Sequence, residues 1–210
     1  LAEGVKGAAE KLGGDAVNWA IFTSKGNSPR GHDHRGRWVE MLDTVVSDTS
    51  TLQTQMQVMN KELWKMPNQM DIFNPEHVVQ AEANSTGSMT ISDCLVQCWF
   101  TSFNDTETQT EAINAATGWN INLGEVMKAG RRIVNMLRIY NLKCGLTPDK
   151  EKPSFRYCSQ PTDGPNTDKP ISPHWEKIMD QYYQLMGWDR KTGMPLPETL
   201  KELDIEDLVK

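Results

Sequence analysis

Apolar residues recur at the three- and four-residue spacing of an α-helix through most of the chain, and this pattern predicts a mainly helical protein. Glycine, proline and capping residues mark the ends of the predicted helices. The most regular apolar face belongs to the helix predicted over 123–143. The predicted helices cover residues 1–12, 38–46, 75–83, 89–103, 108–116, 123–143, 172–186 and 197–203.

Two stretches interrupt this helical pattern. Residues 17–22 (VNWAIF) are apolar and β-prone, so they predict a strand or extended segment that enters a polar loop over 23–37. Residues 149–171 hold four of the 11 prolines and predict an irregular surface connection. The polar stretch 47–57 gives no clear pattern. With about eight helices and at most one or two short strands, the fold class is mainly α.

Charge and length narrow the function classes. Lys and Arg number 22 against 28 Asp and Glu, which gives a net charge of −6 and no basic field for nucleic acid or anionic lipid. No run of 18 apolar residues and no signal peptide occur, so we expect a cytoplasmic protein without a membrane span. The chain starts without Met inside a helical pattern, which suggests a piece of a longer protein.

Four cysteines without a CxxC pair indicate neither a disulfide scaffold nor a zinc ribbon. Cys94 and Cys98 are four residues apart in or at the end of a helix, a spacing that puts two thiols on one side. Such a pair could bind iron or zinc, but a site needs about four ligands. Taken alone, buried or inert thiols are the more frequent outcome. The same interpretation applies to Cys144 and Cys158.

Two other places could carry chemistry. His32 and His34 flank a carboxylate in a loop and form a possible metal pair, although solvated or hydrogen-bonded structural histidines are more frequent in such loops. Trp188 and Asp189 follow the helix-ending Gly187, where an indole can cover the helix end and a carboxylate can hold a turn. We expect the second pair to be architectural.

Four stretches carry a further signal when they are taken together. They are LAEGVKGAAEKLGG (1–14), KGNSPRGHDHR (25–35), DCLVQC (93–98) and the pair GRRIVNMLRIYNLKCGLTPDKE (130–151) with YYQLMGWDRKTGMPLPETLKELDI (182–205). In this order they resemble the C-terminal part of the aldehyde ferredoxin oxidoreductase family of tungsten- or molybdenum-pterin enzymes. The most specific part is the ending, with the matching residues Tyr182, Tyr183, Gly187, Trp188, Asp189, Gly193, Pro195, Leu200 and Leu203.

The resemblance implies an orthogonal multi-helix domain, residues 1–210, of a longer oxidoreductase whose pterin-cradling domain lies upstream. The segment 93–98 stands where the family has D-x-x-G-L-C, so Asp93 and Leu95 would lie on the pterin side. Cys98 would be one ligand of a [4Fe-4S] cluster. A tungstopterin or molybdopterin and the cluster would be present only in the full-length protein, and this chain alone would be inactive.

The implied partners are a small-molecule aldehyde or carboxylic acid substrate and a ferredoxin-like carrier or electron-transfer subunit, with a homodimer as a further possibility. An acidic carrier would need a local basic patch, for which the long helix offers four cations. The alternative is that these cations form a solvated helix flank whose stems cover the core. The four are Lys128, Arg131, Arg132 and Arg138.

Two departures from the family pattern support a different function class. Val96 and Gln97 replace the family's Gly-Leu, so a branched side chain stands where a bare Cα allows close approach to the pterin. The stretch VSDTSTLQT (46–54) has no histidine where aldehyde-oxidising members carry one. The alternative function is therefore a non-catalytic helical interaction or scaffold domain that has lost the cofactor site.

Overall fold

The computed structural model describes residues 3–29, 31–48, 69–98 and 105–209, and helices dominate this part of the chain. The α-helices are α1 (Gly4–Leu12), α2 (Ala16–Trp19), α3 (Trp38–Val46), α4 (Pro75–Ser85), α5 (Ser88–Cys94), α6 (Thr106–Thr117), α7 (Leu123–Lys143), α8 (Trp175–Met186) and α9 (Pro197–Glu202). Short 3-10 turns span His34–Gly36, Pro148–Lys150, Ser172–His174 and Glu206–Val209. The predicted mainly helical class is confirmed.

Local capping explains most helix boundaries. The Asn74 side chain accepts hydrogen bonds from the first turn of α4, as the Asn-Pro pair predicts. Asn122 and Glu125 form a reciprocal capping box at the start of α7. Gly118 and Gly187 end α6 and α8 in the left-handed conformation that glycine adopts at low cost. The helices predicted over 38–46 and 123–143 have the predicted bounds.

The prediction of a strand or extended segment over 17–22 is wrong for its first half, which lies in α2. Ala20 is extended, and the segment leads to an isolated bridge between Thr23 and Pro153 rather than to a strand. The bridge is flanked by hydrogen bonds from the Ser24 N–H to the Lys152 carbonyl and from the Ser154 N–H to the Phe22 carbonyl, but the Phe22 N–H donates to the Ser154 hydroxyl, so the backbone ladder does not continue. The hydrophobic run instead buries Phe22, which is 6% exposed.

The segment 149–171 follows an irregular path, as predicted, and contains no helix after Lys150. It is not a surface connection, however. Glu151, Tyr157 and Ile171 are 1%, 3% and 1% exposed, so the segment contributes to the interior. Proline-rich composition identified the irregular backbone but not its side-chain burial.

The main core lies between α3, α4 and α8. Eight of the nine residues of α3 are buried, so this helix is enclosed rather than amphipathic. A second, smaller core joins Ile139 of α7 to Leu200, Leu203 and Ile205. No helix in the described part of the chain is long and apolar enough to cross a membrane.

A backbone contact fixes α5 against α7. A Cβ added to Gly130 would lie 2.4 Å from the carbonyl oxygen of Gly87, and one added to Gly87 would lie 2.5 Å from the carbonyl carbon of Gly130. Only paired glycines allow this approach. The contact holds the start of α5, whose opposite end carries Asp93.

Candidate functional site

The segment 93–98 begins in the last turn of α5 and leaves the helix immediately afterwards. Asp93 and Cys94 are the last helical residues, Leu95 is the C-cap, and Cys98 is the final described residue before the gap at 99–104. Asp93, Cys94 and Cys98 are exposed, whereas Leu95 is half-buried. Of the helix predicted over 89–103, residues 99–103 lie outside the described part of the chain, and in the described part the helix ends at Cys94, so helical spacing does not relate Cys94 to Cys98.

A Schellman motif ends α5. The Gln97 N–H donates to the Ser92 carbonyl at 3.0 Å, and the Val96 N–H donates to the Asp93 carbonyl at 3.0 Å. Val96 has φ of 56°, the left-handed conformation that normally requires glycine at this position. Val96, which stands at the glycine position of the D-x-x-G-L-C pattern that this segment resembles, thus adopts at a cost a backbone conformation that glycine adopts easily.

Two polar contacts hold the turn in place. The Gln109 amide of α6 donates to the Ser92 hydroxyl at 2.7 Å and to the Gln97 side-chain oxygen at 2.9 Å. Neighbouring protein atoms exclude enough water to raise the pKa of the Asp93 carboxyl above its ordinary value. The end of α5 therefore offers a carboxylate and a thiol on a turn that α6 supports.

The loop of the two histidines places them around Glu40 of α3. Glu40 Oε2 lies 3.5 Å from His32 Nδ1 and 3.5 Å from His34 Nε2. His34 is fully buried, and its Nδ1 hydrogen-bonds the Tyr157 hydroxyl. Burial opposes ionisation of Glu40, but Arg37 and the two imidazoles outweigh it and lower the pKa of the carboxyl.

A buried ionic cluster joins α7 to the chain ending. Arg138 Nη1 and Nη2 donate to the two carboxylate oxygens of Glu151 at 2.5 and 3.1 Å, and Nη2 also donates to the Tyr183 hydroxyl at 2.6 Å. The guanidinium lies 4.2 Å from the Trp188 ring centroid. Lys25 approaches Glu151 at 3.8 Å.

The charges of this cluster perturb one another. Burial lowers the pKa of Lys25 to about 8, despite the nearby Glu151. Burial also disfavours the charged form of Arg138, but the Glu151 carboxylate outweighs burial and raises the pKa of the guanidinium. The pKa of Tyr183 rises because of burial and the same carboxylate. The sequence did not predict this cluster, because the residues around Glu151 give no indication that its side chain is buried.

Comparison with known proteins gives these features a family context. The family model for aldehyde ferredoxin oxidoreductase, domains 2 and 3, matches residues 1–205. The chain belongs to the aldehyde ferredoxin oxidoreductase family. Tungsten-containing aldehyde ferredoxin oxidoreductases of Pyrococcus horikoshii and Pyrococcus abyssi are 29% and 28% identical over 213 residues, which cover all of this chain and 34% of each relative. The Pyrococcus furiosus protein of the same name is 33% identical over 113 residues, 52% of this chain and 18% of its own length.

The chain thus spans about a third of the length of these relatives. The family's closing motif is architectural here, as the sequence predicts for Trp188 and Asp189. The Trp188 indole donates to the Asn135 side chain of α7 at 2.8 Å. Asp189 accepts hydrogen bonds from the backbone of Lys191 and Thr192 at 3.1 and 2.7 Å and holds the turn.

The structure corrects the thiol prediction. Cys94, Cys98 and Cys144 are exposed, so these three are not buried, whereas the half-buried Cys158 packs against the main core of this aldehyde ferredoxin oxidoreductase family member. Among the described residues, no cluster of three or more metal-ligating side chains includes Cys98. One thiolate cannot satisfy four irons, so these residues do not form a complete cluster site.

The structure also places the four cations of the predicted basic patch in different environments. Arg138 is 4% exposed and paired with Glu151, so it belongs neither to a solvated flank nor to a docking surface. Lys128 and Arg132 each lie 3.5 Å from Asp204, near the end of the chain. A sequence pattern on α7 could not reveal these partners because they lie 13 to 76 residues away.

Replacing Val96 with glycine is expected to raise the free energy of unfolding by up to about 1 kcal/mol. Relief of the left-handed conformation contributes about 1–2 kcal/mol, and the greater freedom of glycine in the unfolded chain offsets about half of it. Urea denaturation followed by circular dichroism measures the change. Asp204→Gly is the comparison at the other described non-glycine residue in the left-handed region, and it should give no gain in stability, because aspartate tolerates this region better and its contacts with Lys128 and Arg132 are lost. A loss of stability in Val96→Gly would contradict the assignment.

Proposed function

We propose that this chain is the C-terminal helical part of a tungsten- or molybdenum-pterin oxidoreductase that interconverts an aldehyde and a carboxylic acid. In the proposed enzyme, electrons leave through a [4Fe-4S] cluster to a ferredoxin-type carrier. The observation that carries the proposal is the exposed end of α5, where Asp93 and Cys98 occupy the family's D-x-x-G-L-C positions on a supported turn. The tungsten-containing relatives aligned over the whole chain support the cofactor class.

The donor set at the end of α5 fits these groups. The Asp93 carboxylate can accept paired hydrogen bonds from the aminopyrimidine edge of a pterin, and its raised pKa is that of a carboxyl partly withdrawn from water. The Cys98 thiol can supply a thiolate to iron, with the other ligands coming from outside the residues described. When bound, the pterin metal supplies two-electron chemistry and the cluster supplies one-electron transfer.

The chain's own residues position these donors. The Schellman hydrogen bonds fix the backbone between Asp93 and Gln97, and Gln109 anchors the turn to α6. The Gly87–Gly130 contact fixes the other end of α5. Val96 keeps a glycine-like backbone conformation, so the departure from the family pattern preserves the path of the chain. Leu95 contributes a half-buried apolar side chain beside the carboxylate.

A second candidate function is a scaffold domain without a cofactor. The sequence feature that favours it is the lack of histidine in 46–54, of which residues 49–54 lie outside the described part of the chain. The exposed branched side chain of Val96, 93% exposed, also favours it, because it adds bulk where a pterin would approach. Metal content separates the two functions.

In the whole protein that contains this chain, purified without oxygen, Cys98→Ser is expected to lose most of its iron. Wild type should contain about four iron atoms together with tungsten or molybdenum and a pterin, because Cys98 completes the set of four thiolate ligands of the proposed cluster. Iron, metal and pterin are measured by mass spectrometry and fluorescence of the oxidised pterin. Cys94→Ser is the matched control and should retain iron. A folded wild type free of iron, tungsten and molybdenum would instead support the scaffold function.

A further inference from the structure

His32, His34 and Glu40 form a compact ligand set outside the segment 93–98. The three ligand atoms His32 Nδ1, His34 Nε2 and Glu40 Oε2 all lie within 4.8 Å of one another. The 3-10 turn His34–Gly36 and the first turn of α3 bring them together, with Asp33 capping the turn through the Arg35 N–H at 3.1 Å. Three donors on two adjacent elements thus face one point.

Two of the three distances between ligand atoms match those of a tetrahedral zinc site, and the third, between the two imidazole nitrogens, lies within 4.8 Å. Bonds of about 2.1 Å in tetrahedral geometry separate neighbouring ligand atoms by about 3.4 Å. Glu40 Oε2 lies 3.5 Å from each of the two imidazole nitrogens. A small movement of His32, whose side chain is 49% exposed, completes the arrangement because this residue is the least constrained of the three.

The surrounding residues orient the ligands. The Tyr157 hydroxyl hydrogen-bonds His34 Nδ1, which turns Nε2 toward Glu40. Arg37 donates to Glu40 Oε1 at 2.7 Å and leaves Oε2 turned toward the histidines. Metal-ligating histidines usually carry such a partner on the second nitrogen, and it fixes both the tautomer and the ring orientation.

The local charge and solvent access also fit a divalent cation. Arg35 is paired with Asp33 at 2.7 Å, so its charge is largely balanced. Two imidazoles and one carboxylate are donors that suit zinc and similar divalent metals. A cavity of about 380 Å³, lined in part by His32 and Tyr157, brings water to the His32 side of this ligand set. We propose that His32, His34 and Glu40 bind one Zn²⁺ ion with a water molecule as fourth ligand.

The test is zinc binding by the whole protein after removal of metals with a chelator and titration with Zn²⁺. Bound zinc is counted by mass spectrometry after dialysis, and affinity is obtained by competition with a chromophoric chelator. Wild type should bind one zinc more than His32→Ala or Glu40→Gln. His174→Ala, which removes an exposed histidine elsewhere, is the matched control and should bind as wild type does.

Tyr157→Phe separates ligation from a merely structural role of the loop. This variant keeps all three ligands, and loss of the orienting hydroxyl should weaken zinc affinity about 10- to 100-fold with unchanged stoichiometry. Circular dichroism checks that each variant is folded. Equal zinc content in wild type, His32→Ala and Glu40→Gln would overturn the proposal, as would a wild type that binds no zinc. Neither result bears on iron, tungsten or pterin content.

Discussion

Glu151→Ala is expected to lower the free energy of unfolding by about 3–5 kcal/mol, because it leaves the Arg138 guanidinium buried without its carboxylate. The Arg138 side chain is 3% exposed and that of Glu151 is fully buried. The remaining Arg138 contacts, to the Tyr183 hydroxyl and to the Gly193 carbonyl at 3.0 Å, supply no negative charge. Urea denaturation followed by tryptophan fluorescence measures the loss.

Asp180→Ala is the matched control for this prediction. Asp180 also accepts a hydrogen bond from an arginine, Arg190, at 2.6 Å, but its side chain is 64% exposed. Exposed pairs contribute about 0–1 kcal/mol because water and salt screen them. Similar losses in Glu151→Ala and Asp180→Ala would show that burial does not determine the contribution of the Arg138 pair.

The sequence predicted correctly the features that depend only on residues close together along the chain. The helix ends at Asn74, Gly118, Asn122 and Gly187 follow from capping rules that act within one turn. The prediction of a strand or extended segment over 17–22 was wrong for residues 17–19, which are helical, because β-propensity produces a strand only where a partner strand pairs with it, and pairing here is limited to the Thr23–Pro153 bridge. Local pattern therefore gave the fold class and most boundaries, but not pairing between distant segments.

The candidate sites likewise combine features that the local sequence predicted with contacts between distant segments that it did not. The motif at 93–98 identified Asp93 and Cys98 by resemblance, and their roles as pterin and cluster ligands stay predictions. The two histidines of the candidate metal site form a recognisable His-x-His pattern in the sequence. The third ligand, Glu40, lies in a helix whose sequence shows no metal-binding pattern. The buried partner of Arg138 lies in a proline-rich segment whose composition predicts exposure. Such sets are assembled by tertiary packing, so the spacing of their residues along the sequence does not reveal them.

The family's closing motif and α5, which carries Asp93, both contact α7. Arg138 and Asn135 of α7 contact the closing segment 182–205 through Tyr183 and Trp188. The same helix carries Gly130, against which α5 begins. α7 thus couples the architecture of the chain ending to the position of Asp93, so a change in its contact with α5 affects the candidate cofactor-facing turn directly.

Gly130→Ala is expected to reduce the free energy of unfolding by about 3 kcal/mol, because the added methyl group would stand 2.4 Å from the Gly87 carbonyl oxygen. Alanine favours a helix over glycine by about 1 kcal/mol, so local propensity predicts the opposite sign. Both atoms in conflict belong to rigid elements, so α5 must move away from α7. Urea denaturation gives the stability change, and faster amide hydrogen exchange in α5 than in α8 gives its location.

Gly124→Ala in the same helix is the control, since its added methyl group meets only the Asn122 side chain, at 3.1 Å. The side-chain oxygen of Asn122 also accepts the capping hydrogen bond from the Glu125 N–H, so a weakened cap and the better helix propensity of alanine, each worth about 1 kcal/mol, should offset each other and leave a change of less than about 1 kcal/mol. Displacement of α5 would also carry Asp93 and Cys98 with it, so in the whole protein Gly130→Ala should lower iron content while Gly124→Ala retains it. Equal stability and equal exchange of α5 in the two variants would show that the close approach of Gly87 and Gly130 does not hold α5 in place.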